Sequence, residues 1–166
     1  MKIALFYHSL ISDWNHGNAH FLRGIVSELI ARGNEVNVYE PRDAWSAANL
    51  VEEHGEAPLR EFAAVYPGLS SIRYAPDLLD LDEALDGCDL VIVHEWNEHS
   101  LVRRIGEHRR STGGYLLLFH DTHHRAVSAP EQMAAYDLTG FDGVLAYGEA
   151  IRRIYLAEGW TPRAWT

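Results

Sequence analysis

An apolar run, Leu116-Leu117-Leu118-Phe119, breaks off at His120 and Asp121, and His123, His124 and Arg125 follow within the next four residues. A histidine titrates near neutrality and can both accept and donate a proton, so His120 is suited to proton transfer or to orienting a hydroxyl. The apolar run itself reads as a strand buried on both faces. Such strands rarely end in a cluster of polar groups without a reason, because each unpaired one costs free energy. In open α/β sheets ligands bind in the crevice beyond the carboxyl ends of the strands. His120 is therefore the catalytic residue expected in a cleft at that edge, and Asp121 fits a cap on the following turn better than a chemical role.

Other residue patterns are weighed against it. The turn His16-Gly17-Asn18 precedes a helix, whose free amino-terminal N–H groups favour a phosphate or carboxylate, and Gly17 removes a Cβ that would block close approach. His94-Glu95-x-x-x-His99 has one residue too many for a zincin helix, and His94 sits at a strand end. His120, Asp121, His123 and His124 could hold a metal if His94 joined them. Alternation along extended chain sends neighbours to opposite sides, however, and no metal is expected. No G-x-G-x-x-G, P-loop or G-x-S-x-G segment occurs. Trp14, Trp45 and Trp96 could stack on a sugar or a lipid, or simply pack.

The elements that must position these residues alternate. Ile3 to Tyr7 predicts strand one, ending at His8. Asn18 is a good helix N-cap. Leu22, Ile25, Val26, Leu29 and Ile30 then mark one helical face, stopped at Gly33. Val36 to Tyr39 predicts strand two, closed by Pro41. Trp45 to Tyr66 is a weaker helical stretch broken at Gly55 and Pro58, and Ser71 to Tyr74 a short third strand. Leu79 to Leu85 suggests a brief helix, Leu90 to Val93 strand four, and Glu98 to Arg110 a helix with Leu101, Val102 and Ile105 inward. After the central strand come a helical turn over 130–136, a strand over 144–147, a helix over 149–158 and a short strand near 163–166. This pattern predicts one Rossmann-like α/β domain over 1–166, a three-layer αβα sandwich with a mostly parallel sheet of six to seven strands. Right-handed crossovers would bring His8, His94, Glu95, His120, Asp121 and Gly148 to one rim, with the helix starts near Asn18 and Glu149.

The 166 residues carry a formal charge of −10 and are 47% hydrophobic. So acidic a chain argues against a nucleic-acid partner, which would need a basic stripe, and against adsorption to anionic membrane. The single Cys88 excludes an internal disulfide framework. The basic-then-apolar start is too short for a signal peptide, and no run approaches the roughly 18 apolar residues of a membrane helix. These features point to a soluble, cytoplasmic domain.

Four segments carry a resemblance. "GNAHFLRGIVSELIARGNEVNV" at 17–38, "DLVIVHEW" at 89–96, "LLLFHDTHH" at 116–124 and "FDGVLAYGEAIRRIYLAEGW" at 141–160 resemble, in order, segments of the amino-terminal domain of family-4-type GT-B glycosyltransferases. The chain is also similar to the CgeB-like spore-maturation glycosyltransferases. The resemblance implies the acceptor-side half of a metal-independent, retaining enzyme that uses a nucleotide-sugar as substrate, needs no cofactor and partners a carboxyl-terminal GT-B domain. It implies contact of His16, Gly17 and Asn18 with donor phosphates or sugar, and a place for His120 beside the reacting sugar carbon. His94, Glu95, Asp121, His124, Gly148 and Glu149 would line the cleft or face the acceptor. Two departures stand out: His16 occupies the place of a usual glycine, and Tyr147-Gly148 replaces the usual serine context. The paired glutamates of the second domain lie outside this sequence, so the isolated chain is expected to lack transferase activity. The alternatives are a non-catalytic Rossmann-like or flavodoxin-like binding module, and a metal-dependent hydrolase built on the cluster at 120–124.

Overall fold

A computed structural model describes residues 1–14 and 17–166. The fold is α/β and Rossmann-like, of the three-layer class: seven strands alternate with eight α-helices among the described residues. Every strand pairing within the two compact units, Met1–Leu79 and Asp80–Thr166, is parallel. No helix among the described residues is long and apolar enough to cross a membrane.

The first unit holds β1 (Lys2–Phe6), α1 (Asn18–Ala31), β2 (Glu35–Pro41), α2 (Trp45–His54), α3 (Ala57–Val65) and β3 (Ser71–Tyr74), with β2 between β1 and β3. β1 is buried along both faces, as its unbroken apolar run demands. α1 ends in a Schellman motif. Gly33 takes φ +81°, its N–H donates to the Ile30 carbonyl at 2.8 Å, and the Asn34 N–H donates to that of Leu29 at 3.1 Å.

Two expectations for α1 need correction. Its N-cap is Gly17, with Asn18 the first helical residue and no side-chain cap. Its buried face is Ala19, Leu22, Arg23 and Val26, while Ile25 and Ile30 are exposed. A buried guanidinium turns the helix. Arg23 donates from Nε to the Leu10 carbonyl (2.9 Å), from Nη2 to that of Ile11 (2.7 Å) and from Nη1 to Asp13 Oδ2 (3.2 Å). Its guanidinium carbon also lies 5.0 Å from the Phe62 ring centre and 5.3 Å from that of Tyr66. Three hydrogen bonds and two aromatic faces offset the desolvation that would otherwise expel a cation. Leu10, Ile11 and Asp13 are thereby tied to α1, and Arg23 ties α1 to Phe62 of α3.

The second unit holds α4 (Leu81–Leu85), β4 (Leu90–His94), α5 (His99–Thr112), β5 (Leu116–Asp121), α6 (Arg125–Ser128), α7 (Pro130–Ala134), β6 (Gly143–Ala146), α8 (Gly148–Ala157) and β7 (Ala164–Trp165). Its strands pair in chain order. Leu101, Val102 and Ile105 of α5 are buried as expected, and Leu117 and Phe119 of β5 are fully buried.

Two glycines make the sharpest stability contrast. A Cβ on Gly140 would lie 2.6 Å from Gly106 Cα on α5, backbone against backbone, whereas one on Gly24, midway along α1, would meet nothing. Gly140→Ala is expected to destabilise by about 2 kcal/mol or more. Gly24→Ala should stabilise by about 0.5–1 kcal/mol through helix propensity and reduced unfolded-state entropy. Denaturant titration of both variants measures the two signs.

Candidate functional site

β4 and β5 run in register, with His94 opposite His120 at their last paired positions. Because the strands are parallel, the polar residues that end each run collect at one edge of the second unit. The Glu95 N–H extends the ladder by donating to the His120 carbonyl at 3.0 Å.

Glu95 is the centre of this edge and is 0% exposed. Arg125 donates to its Oε2 from Nε (3.0 Å) and Nη2 (2.6 Å), and Nη2 also reaches the Glu95 carbonyl at 2.9 Å. The Thr122 N–H donates to Oε1 at 3.1 Å. Tyr136 donates its hydroxyl proton to the Glu95 carbonyl. Burial is the largest influence on this carboxyl and Asp121 the second. Together they overcome Arg125 and push it up to about 7.

His94 is fixed by its partners. Its Nδ1 accepts from the Trp96 N–H at 3.3 Å, so Nε2 carries the proton and donates to Thr122 Oγ1 at 2.9 Å. That hydroxyl donates in turn to Glu95 Oε1, 3.4 Å away. His94, Thr122 and Glu95 thus form a directional chain of hydrogen bonds. Asp121, also 0% exposed, accepts from the His123 N–H at 2.9 Å, the turn-capping role its position suggests, and from the Tyr155 hydroxyl at 2.9 Å. Burial pushes the Tyr155 phenol far up, with the Asp121 charge adding to it.

His94, Glu95 and Asp121 are therefore not cleft-lining side chains: they lie beneath the rim and hold it. Arg125, Thr122, Tyr136 and Tyr155 complete that support and are not singled out by the sequence patterns. An arginine four residues past one strand end and a glutamate at the next are the only signal of the central pair.

His120 remains half-buried at the end of β5, its ring edge-on to His94 with centroids 5.7 Å apart. Burial holds its imidazole down to about 4, so the ring is neutral at physiological pH. His123 is also held below its usual value, first by burial and then by His124 and Arg125. Its Nδ1 is buried with no hydrogen-bond partner among the described residues. His124 is exposed, 4.3 Å from the His123 ring, and its carbonyl starts α6.

Gly148 opens α8 at φ +82°, a left-handed conformation that favours glycine, at the end of β6 beside β5. Glu149 is exposed in the first turn of α8. Its carboxylate accepts from Arg152 at 2.6 and 2.8 Å and from Arg153 at 2.8 Å on the helix surface, which hold it down to about 2. In the first unit Gly17 is exposed at φ −86°, with open space where a Cβ would stand. It leaves room for a ligand but is not demanded by the backbone. His16 lies outside the described residues. No three His, Cys, Asp or Glu side chains among the described residues converge so as to hold a metal ion.

The site's chemistry thus reduces to a neutral imidazole on a rigid, internally bonded rim. Histidine side-chain NMR should place the His120 titration midpoint near 4 and keep its ring neutral at pH 6, whereas a midpoint near 6.5 would mean a solvated ring. Comparison with protein-family models, curated proteins and solved structures found no match to this chain.

Proposed function

We propose that this chain is the acceptor-side half of a GT-B-type glycosyltransferase that acts from a nucleotide-sugar donor, with His120 in contact with the reacting sugar. The observation that carries this reading is the placement of a half-buried, neutral imidazole at the carboxyl end of a central parallel strand, between a supported strand end and a glycine-started helix. Crevices at that edge are where α/β sheets take ligands.

The low pKa selects among His120's possible roles. A base poised near 4 abstracts protons weakly at neutral pH, since general-base efficiency is best when the pKa lies near the working pH. A neutral ring offers one donor and one acceptor in fixed geometry, which suits orienting a sugar hydroxyl and steadying charge as the glycosidic bond changes hands. Glu95, though poised near neutrality, is fully buried and serves the rim. The required partners are a nucleotide-sugar, an acceptor hydroxyl and a second α/β domain that holds the nucleotide.

A second reading is favoured by the same rim. Its two buried carboxylates are engaged by internal partners, as befits a binding module without chemistry. Turnover separates the two. The natural full-length protein, given UDP-glucose, GDP-mannose or ADP-glucose with candidate acceptors, should release nucleoside diphosphate, and His120→Ala should lower that rate about 10²-fold while the protein stays folded. Wild-type turnover in His120→Ala would remove His120 from the mechanism, and folded protein releasing no nucleotide would favour the binding module.

A further inference from the structure

An open cavity of about 420 Å³ lies in the second unit, lined by His99, Ser100, Arg103, Ala135 and Asp137. Its size is within the range of small-molecule sites. Four of its five lining residues carry polar side chains.

Arg103 sets its character. Among the described residues the Arg103 guanidinium makes no hydrogen bond or ion pair. The Asp137 carboxyl is held below the usual range first by its bonds from Thr139 and then by the fields of Arg110 and Arg103. Asp137 itself is engaged by the Thr139 N–H at 3.0 Å and the Thr139 hydroxyl at 2.6 Å. His99 stands one helical turn before Arg103 on the same face of α5. Its ring is stacked on Tyr136 with centroids 4.1 Å apart, and its Nε2 donates to the Gln132 carbonyl at 3.2 Å. That bond fixes the tautomer and leaves Nδ1 as an acceptor. Ser100 spends its hydroxyl on a long, exposed 3.3 Å bond to Glu98 that a ligand could replace. Arg110, farther along α5, adds its own field at Asp137.

We propose that this cavity binds the phosphoryl group of a small hydroxylated phosphate. An uncommitted guanidinium presents a planar fork that matches phosphate oxygens two at a time, and the Ser100 hydroxyl adds a donor beside it. The space exceeds what a bare phosphate would fill. The remaining lining groups, Asp137 and His99 Nδ1, are acceptors suited to ligand hydroxyls. The inference goes beyond the transferase reading and does not depend on it, because binding alone tests it.

Titration calorimetry on the full chain, with glucose 6-phosphate, inorganic phosphate and glucose as probes, makes the test. Saturable binding of glucose 6-phosphate is expected, tighter than inorganic phosphate, with none for glucose. Arg103→Ala, at an exposed position, should leave the fold intact and weaken phosphate-ester binding about tenfold or more, with Arg103→Lys intermediate. Tighter binding of inorganic phosphate would identify the free ion as the source of the phosphoryl group. Unchanged affinity in Arg103→Ala, or no saturable binding of either phosphate by the wild type, would overturn the proposal.

Discussion

The second unit depends on placing one carboxylate, that of Glu95, fully inside the protein at the end of a strand. Moving such a group out of water costs several kcal/mol unless donors surround it. Here Arg125 grips one oxygen and the Thr122 N–H the other. The cost and its compensation together dictate the local architecture. The chain after β5 must return so that residues 122 and 125 face the end of β4, and α7 must bring Tyr136 to the Glu95 and Asn97 carbonyls. His120 is tied to these fixtures through its own carbonyl, which accepts from the Glu95 N–H, and its ring lies edge-on to that of His94.

Two adjacent groups at this edge are shifted in opposite senses. Burial raises Glu95 because its charged form is the anion, and lowers His120 because its charged form is the cation. Both are pressed toward neutrality. Folded-state stability from His120 is complete above its unfolded value near 6.5 and is lost as pH falls through about 4. That from Glu95 is complete below about 4.5 and is lost as pH rises through about 7. Near pH 5.5 the two slopes oppose each other. The rim is therefore buffered against the mild acid that would protonate a solvated histidine.

Much of the fold is legible in the residues themselves. Unbroken apolar runs at 3–7 and 116–119 can be satisfied only inside a parallel sheet, and β3 falls on Ser71–Tyr74, the four residues its local pattern marks. Periodicity failed on α1 because it scores Ile25 and Ile30 as core and Arg23 as surface. The deciding factor was three acceptors and two aromatic rings, supplied by a loop and by α3, and nothing in the helix's own spacing reports them. The polar rim shows the same division. His120 stands out because an apolar run stops there. Glu95 and Arg125 are thirty residues apart in sequence, and their pairing appears only once β4 and β5 are set in register. Residues at 94, 95 and 121 look like cleft residues for a good reason, since they end strands, but their burial makes them the foundation of the rim instead.

Glu95 is an uneasy buried carboxylate around which the rim is built. The most direct test is the unfolding free energy of wild type and Glu95→Gln followed from pH 4 to 8. The amide keeps the shape and cannot ionise. A carboxyl raised from about 4.5 to about 7 means that the wild type loses about 3 kcal/mol relative to the glutamine variant as pH rises through that window. A wild type that instead gains on the variant with rising pH, as an ordinary ion-paired carboxylate does, would contradict the account.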